Sequence, residues 1–118
     1  MSFVFDIEKA TIENTEYRKI IYTGIIQLVL MSIPVGDDIE LEVHPKTDQF
    51  LRVEAGQGEV TFGKTEKDRF KVKDGSAIIV KKNTYHHVIN TGNSPLKLYT
   101  IYSPPEHMDK NLILNLLL

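Results

Sequence analysis

Short apolar stretches separated by turn residues run through most of the chain. The segments RKIIYTG and IIQLVLMSI are rich in Ile, Val and Leu, and they end at Gly24 and Pro34. Such runs, bounded by Gly or Pro, are typical of β-strands. A nine-residue apolar run is also compatible with a buried helix, but the flanking breakers and the short spacing to the next run favour a strand.

Polar residues alternate with apolar ones in the segment that follows Gly36. Because successive strand residues point to opposite faces, Glu40, Glu42 and His44 are predicted to share one face of the strand IELEV and its continuation. After a short break comes the strand QFLRVEA, in which Gln49 shares a face with the alternate apolar residues. The pattern therefore predicts polar side chains on the inner faces of two consecutive strands.

The second half of the chain continues in the same way. Its predicted strands, separated by Gly, Asn and Asp turns, are EVTFGK, DRFKVK, SAIIV, HHVIN and PLKLYTIYS. Many short strands at regular spacing predict an all-β sandwich or barrel.

The same pattern divides the chain into three parts. Residues 1–16 show no clear period and are predicted to form an extended N-terminal arm, and residues 17–104 form the barrel. Residues 105–118 are a C-terminal tail ending in NLILNLLL. An exposed apolar tail would promote aggregation, so we expect it to pack on its own barrel or on another subunit.

Composition narrows the class of protein. The chain has 118 residues, a formal net charge of −2 and no cysteine. The length indicates one domain, and the charge provides no attraction for nucleic acid or for an anionic membrane. Disulfides and thiolate metal sites are excluded. No secretory signal or membrane-spanning run is visible, so a cytoplasmic protein is expected.

Two sets of residues occur at characteristic intervals. The first set is Gly36, Glu42, His44, Gln49 and Gly56. The second set is Gly75, Lys81, Asn83, His86 and Asn90. These intervals match the two motifs of the cupin family, so the chain resembles a small single-domain cupin, a group sometimes compared with mannose-6-phosphate isomerase. The resemblance implies an all-β fold, the double-stranded β-helix or jelly-roll barrel.

Four positions depart from the family pattern. Lys81 and Asn83 stand where Pro and Gly are usual in a loop, which is a mild change because Asn tolerates a left-handed conformation. Glu42 stands at a position usually held by His, and Gln49 at one usually held by Glu. The carboxylate has thus moved within the site but has not been lost.

The resemblance implies that Glu42, His44, Gln49 and His86 are metal ligands. Two imidazoles and a carboxylate can hold a divalent ion such as Zn, Fe, Mn, Ni or Co and leave positions open. The ion would also compensate the cost of turning a carboxylate into an apolar barrel. Gln49 is neutral, and it either binds the ion or bonds to a bound water or substrate.

Four further residues near the predicted ligands have either a functional or an ordinary structural interpretation. Glu40 is a second carboxylate of the pocket or a solvated residue at the strand edge, and Tyr102 is a pocket residue on the inner face of the last strand. His87 is expected to point outward, and His107 is either solvated in a loop or caps the barrel mouth. No phosphate-binding loop and no Ser-His-Asp grouping is visible.

Three functions remain open from the sequence. The first is a metal-dependent enzyme of small-molecule metabolism, with isomerase or dioxygenase chemistry and no catalytic residue assigned. The second is a non-catalytic cupin that binds a small molecule or a metal. The third is a structural dimer without metal. In each case we expect a homodimer, because symmetric dimers are the commonest oligomers and small cupins commonly form them.

Overall fold

The computed structural model describes residues 2–108, which form one short helix and nine strands. The helix α1 spans Ile7–Glu13. The strands are β1 Lys19–Thr23, β2 Gln27–Ile33, β3 Asp38–Glu42, β4 Asp48–Ala55, β5 Gln57–Phe62, β6 Asp68–Lys73, β7 Ala77–Val80, β8 His86–Asn90 and β9 Leu96–Ser103.

The strands form two antiparallel sheets. One sheet has the order β1-β2-β9-β4-β7, and the other has the order β3-β8-β5-β6. The two inner faces enclose a single apolar core, whose members include Val29, Met31, Ile33, Leu51, Val53, Val60, Val88, Leu96 and Leu98. This arrangement confirms the predicted all-β jelly-roll barrel.

The last strand shows how alternation sets the register. Leu96, Leu98, Thr100 and Tyr102 are buried, and the residues between them are half-buried. Burying each of the two leucine side chains contributes about 1.5–3 kcal/mol to the stability of the fold. A slip of one residue would exchange the two faces, so the apolar set holds the strand in place. The same strand pairs with β2 and β4, which brings Tyr102 opposite Gln49.

The N-terminal segment is not the fully extended arm that the sequence predicts. Residues Ile7–Glu13 form α1, and the side chain of Asp6 accepts a hydrogen bond of 3.0 Å from the backbone nitrogen of Lys9. This N-cap satisfies one of the free donors of the first turn. Thr11 is buried, and Lys97 of β9 donates to the backbone carbonyl of Asn14 just after the helix. A helix of two turns is too short to show a clear period in the sequence.

The loop before β8 has the conformation expected from its residue type. Asn83 has a φ of 65°, in the left-handed region that Asn tolerates, and its backbone nitrogen donates to the carbonyl of His44 at 2.7 Å. The loop that carries His86 is thereby tied to the segment that carries His44. The predicted packing of the apolar tail falls on residues 109–118, which lie outside the described part of the chain.

Candidate metal centre

A β-bulge in β3 turns Glu42 into the barrel. Ile39 is opposite Val88 and Glu42 is opposite His86, so three steps on β3 match two steps on β8. The extra residue lets both Ile39 and Glu42 face inward, although strict alternation would place them on opposite sides. His44 follows two residues after the end of the strand and is buried.

Three of the predicted ligands meet at this point. The Nε2 atom of His44 lies 3.2 Å from Oε1 of Glu42, and the Nε2 atom of His86 lies 3.5 Å from the same oxygen. One donor atom from each of the three residues lies within 4.8 Å of the other two. The sequence prediction that Glu42, His44 and His86 converge therefore agrees with the geometry.

The electrostatics of this cluster favour an ionised carboxylate. Burial by itself raises the pKa of Glu42, but the neighbouring imidazoles of His44 and His86 outweigh burial and lower the pKa to about 2. Burial lowers the pKa of His44, but the carboxylates of Glu42 and Glu106 outweigh that effect and raise it. Groups with shifted pKa values in one cluster are typical of functional sites.

The buried atoms that lack hydrogen bonds test whether a metal ion fits. Among residues 2–108, six buried side-chain nitrogen or oxygen atoms have no hydrogen-bond partner, and four of them belong to His44, Gln49 and His86. Both Nε2 atoms are in this group. Buried polar atoms are normally bonded, since leaving one unpaired costs about 1–3 kcal/mol. Ligand atoms without another partner are what a divalent cation needs, so the residues fit such an ion.

The orientation of His86 also suits a ligand. Its Nδ1 atom lies 2.9 Å from the carbonyl oxygen of Thr84, to which a protonated Nδ1 donates. That bond leaves the lone pair on Nε2 directed away from the loop. A hydrogen bond at one ring nitrogen that selects the other for the metal is a common feature of metal-binding histidines.

Gln49 and Tyr102 approach from the facing sheet. Gln49 is buried, and its amide nitrogen donates to the hydroxyl of Thr100 at 3.0 Å, which leaves its oxygen as one of the unbonded atoms. Tyr102 is buried, and its ring meets the His44 ring edge-on with centroids 5.8 Å apart. Burial raises the pKa of Tyr102 well above 10, so the phenol stays protonated. Both residues therefore lie on the inner face, as their alternation predicts.

The prediction that Glu40 shares a face with Glu42 and His44 is wrong. Glu40 is exposed, because the bulge between Ile39 and Glu42 breaks the alternation. It lines an open surface pocket of about 400 Å³ that also borders Glu42 and Arg18. Glu40 thus lies beside the cluster rather than within it.

His87 faces outward, as its position after His86 predicts. Its two ring nitrogens contact the carboxylates of Asp38 and Glu66, which raise its pKa although burial acts in the opposite direction. This group ties β8 to β3 and to the turn after β5 on the outside of the barrel. It does not belong to the inner cluster.

Two residues that no sequence pattern predicts, Glu106 and Gln27, complete the surroundings of the cluster. Oε1 of Glu106 lies 2.9 Å from Nδ1 of His44, within ion-pair distance of the ring. Gln27 is fully buried and bonds the backbone of Glu106 and His107. In the sequence, Glu106 and His107 are adjacent and follow the last strand, but no local pattern indicates which part of the barrel they contact.

His107 takes the second of the two roles considered for it and covers the inner end of Tyr102. Its Nε2 atom lies 3.1 Å from the Tyr102 hydroxyl, and the two rings meet nearly perpendicular with centroids 5.0 Å apart. Burial and the charge of Arg18 lower the pKa of His107. A neutral imidazole at this position accepts the hydrogen bond of the phenol.

A small antiparallel jelly-roll barrel with inward histidines and a carboxylate defines the class of small cupins. The family profile described as "Cupin domain" matches residues 29–102. The chain belongs to the cupin family.

Two relatives match most of the chain. An uncharacterized protein of Bacillus subtilis, YrkC, is 52% identical over 110 residues; the match covers 89% of this chain and 59% of the relative. An uncharacterized protein of Acanthamoeba polyphaga mimivirus is 39% identical over 107 residues, covering 89% of this chain and 67% of the relative. The chain therefore spans about three fifths of the length of YrkC.

A solved structure is similar along nearly the whole chain. The crystal structure of BH2720 from Bacillus halodurans has a TM-score of 0.89 and 48% sequence identity, and the match covers 92% of this chain and 85% of that chain. Within residues 2–108, no helix combines the length and the apolar character needed to cross a membrane.

Proposed function

We propose that this protein is a metal-dependent cupin that acts on a small molecule at the mouth of the barrel. Glu42, His44 and His86 hold the ion, and Gln49 completes or tunes its surroundings. The observation that carries this proposal is the pair of buried Nε2 atoms that have no hydrogen-bond partner and lie beside one ionised carboxylate.

The ion and the surrounding side chains have separate tasks in this proposal. A bound divalent ion supplies Lewis acidity, which polarises an oxygen of the bound molecule or activates water or dioxygen. The chain itself positions the ligands, excludes water with the apolar inner faces, and holds a proton on the Tyr102 hydroxyl beside Nε2 of His107.

Isomerase and dioxygenase chemistry are both compatible with this ligand set. The identity of the ion separates them in part, because Zn does not support redox chemistry whereas Fe and Mn do. A barrel that binds metal but turns over no substrate is the second function. A dimer without metal is the third.

Metal analysis tests the proposal directly. Protein purified without chelator and without added metal is expected to contain one ion per chain, and Glu42→Ala and His86→Ala are expected to lose it. Glu40→Ala and His87→Gln are matched controls, because each alters the same residue type nearby but outside the cluster. Equal, near-zero metal in the wild-type protein and all variants would refute the metal site.

We also propose that the protein is a homodimer. Several apolar side chains near the start of the described chain are exposed, including Phe3 at 58%, Val4 at 99% and Ile25 at 86%. Light scattering coupled to size-exclusion chromatography is expected to give twice the chain mass of 13.5 kDa. A single-chain mass at micromolar concentration would contradict this proposal.

A further inference from the structure

The two histidines of the cluster are oriented by different partners. The Nδ1 atom of His86 faces the carbonyl of Thr84, only two residues away in the same loop. The Nδ1 atom of His44 faces the carboxylate of Glu106, which lies close to the C-terminal limit of the described residues. The distance from Nδ1 to Oε1 of Glu106 is 2.9 Å. The ring of His44 thus lies between two carboxylates, with Glu42 at Nε2 and Glu106 at Nδ1.

The backbone around Glu106 is anchored rather than loose. The side-chain oxygen of Gln27 accepts hydrogen bonds from the backbone nitrogens of Glu106 at 3.1 Å and His107 at 2.9 Å. The amide nitrogen of Gln27 donates to the carbonyl of His107 at 2.8 Å. The hydroxyl of Thr47 donates to the carbonyl of Pro104 at 3.1 Å. These bonds hold the segment over the end of the barrel where His44 lies.

A carboxylate at the far nitrogen of an imidazole has two effects on a metal ligand. It keeps the proton on that nitrogen, so the lone pair is on the other one, and it makes the imidazole a stronger donor. The second effect strengthens His44, which is one of the two imidazole ligands. Glu106 adds a negative charge beside the cluster without occupying a ligand position.

We propose that Glu106 is the positioning residue of His44: its carboxylate keeps the proton on Nδ1 and directs Nε2 to the metal ion. The inference rests on the proposed metal centre and adds to it a residue that lies outside both cupin motifs. Gln27 acts one step further away, since it holds the backbone of Glu106.

Cobalt binding tests this role, with Co(II) as the probe. Removal of the carboxylate in Glu106→Ala is expected to weaken Co(II) binding about 10–100-fold and to change the visible absorption bands of the bound ion. Glu106→Gln keeps an oxygen that can accept from Nδ1 but lacks the charge, so it is expected to fall between the wild-type protein and Glu106→Ala. Glu40→Gln is the matched control, because it removes one negative charge from the same end of the barrel without touching either histidine.

A second measurement does not depend on metal. Nitrogen-15 NMR of the imidazoles in chelator-treated protein is expected to show a proton on Nδ1 of His44 in the wild-type protein, and a smaller share of rings protonated at Nδ1 in Glu106→Ala. A variant that only loosened the fold would change the thermal unfolding temperature but would leave the protonation of Nδ1 of His44 unchanged.

The possible failures are distinguishable. If wild-type protein binds Co(II) and Glu106→Ala binds it as tightly as Glu40→Gln, with the protonation of Nδ1 of His44 unchanged, the role of Glu106 is refuted and the metal centre stands. If wild-type protein binds no Co(II), the metal centre itself is refuted and the positioning role falls with it.

Discussion

Replacement of Gln27 by leucine is expected to destabilise the protein by about 2 kcal/mol through the loss of one buried amide. The side chain of Gln27 is 0% exposed. Its amide makes three hydrogen bonds to the backbone of residues 106–107 and a fourth, of 3.1 Å, to the hydroxyl of Thr23. Leucine keeps most of the side-chain volume and removes all four.

The magnitude follows from the number and the burial of these bonds. Three bonds to the backbone, at about 1 kcal/mol net each, contribute about 3 kcal/mol. The freed backbone groups are only part-buried, so water replaces some of the lost bonding. Leucine also buries no amide, which offsets part of the loss. These corrections leave about 2 kcal/mol.

The assay is thermal and denaturant unfolding of chelator-treated protein. For a domain of about this length, one kcal/mol corresponds to roughly 4 °C, so the midpoint of Gln27→Leu is expected about 8 °C below that of the wild-type protein. The matched control is Thr47→Val, which removes the single 3.1 Å bond to the carbonyl of Pro104 and is expected to cost about 1 kcal/mol. If Gln27→Leu is no less stable than Thr47→Val, this result would refute the anchoring of residues 106–107 by Gln27.

Three further predictions follow from the buried and strained positions. Gln49→Leu removes an unbonded buried oxygen together with one hydrogen bond, so the stability of metal-free protein is expected to change by less than about 1 kcal/mol while Co(II) affinity falls; a stability loss above about 3 kcal/mol in urea titrations would show a structural role instead. Because the pKa of His87 is raised above 6.5 by Asp38 and Glu66, against the effect of burial, the protonated ring stabilises the fold fully below pH 6.5 and the contribution is lost as pH rises through the raised value. The stability difference between chelator-treated wild-type protein and His87→Gln is therefore expected to shrink from pH 6 to pH 9, and a constant difference would contradict this linkage. Gly56→Ala is expected to cost at least 1 kcal/mol in thermal unfolding, because Gly56 has a φ of +90° and a Cβ there would lie 2.7 Å from a backbone carbonyl oxygen; an unchanged midpoint would disprove the close approach.

The strands and most of the inward-facing polar positions could be predicted because alternation is a local property of the backbone. In β4, Gln49 shares the inner face with Leu51, and in β9, Tyr102 shares it with Leu98; both follow from counting residues in twos. The motif intervals then place His86 near the same point.

The departures have equally physical causes. The bulge in β3 depends on how that strand pairs with β8, so counting in twos placed Glu40 on the wrong face. The helix Ile7–Glu13 is stabilised by its N-cap at Asp6 and by packing on the five-stranded sheet, and two turns carry too little periodicity to be read in advance. Secondary-structure propensity and hydrophobic periodicity predict the conformation poorly where contacts with distant strands determine it.

The sequence by itself determined the all-β barrel and the inner faces of most strands, because alternation is local. The intervals that resemble the cupin motifs predicted Glu42, His44 and His86 as ligands. The tertiary structure alone decided that Glu40 lies outside the cluster and that Glu106 meets the far side of His44. The physical reason is that these two results depend on the pairing of β3 with β8 and on the bonds of Gln27 to a segment far along the chain. No local pattern encodes a contact of that range.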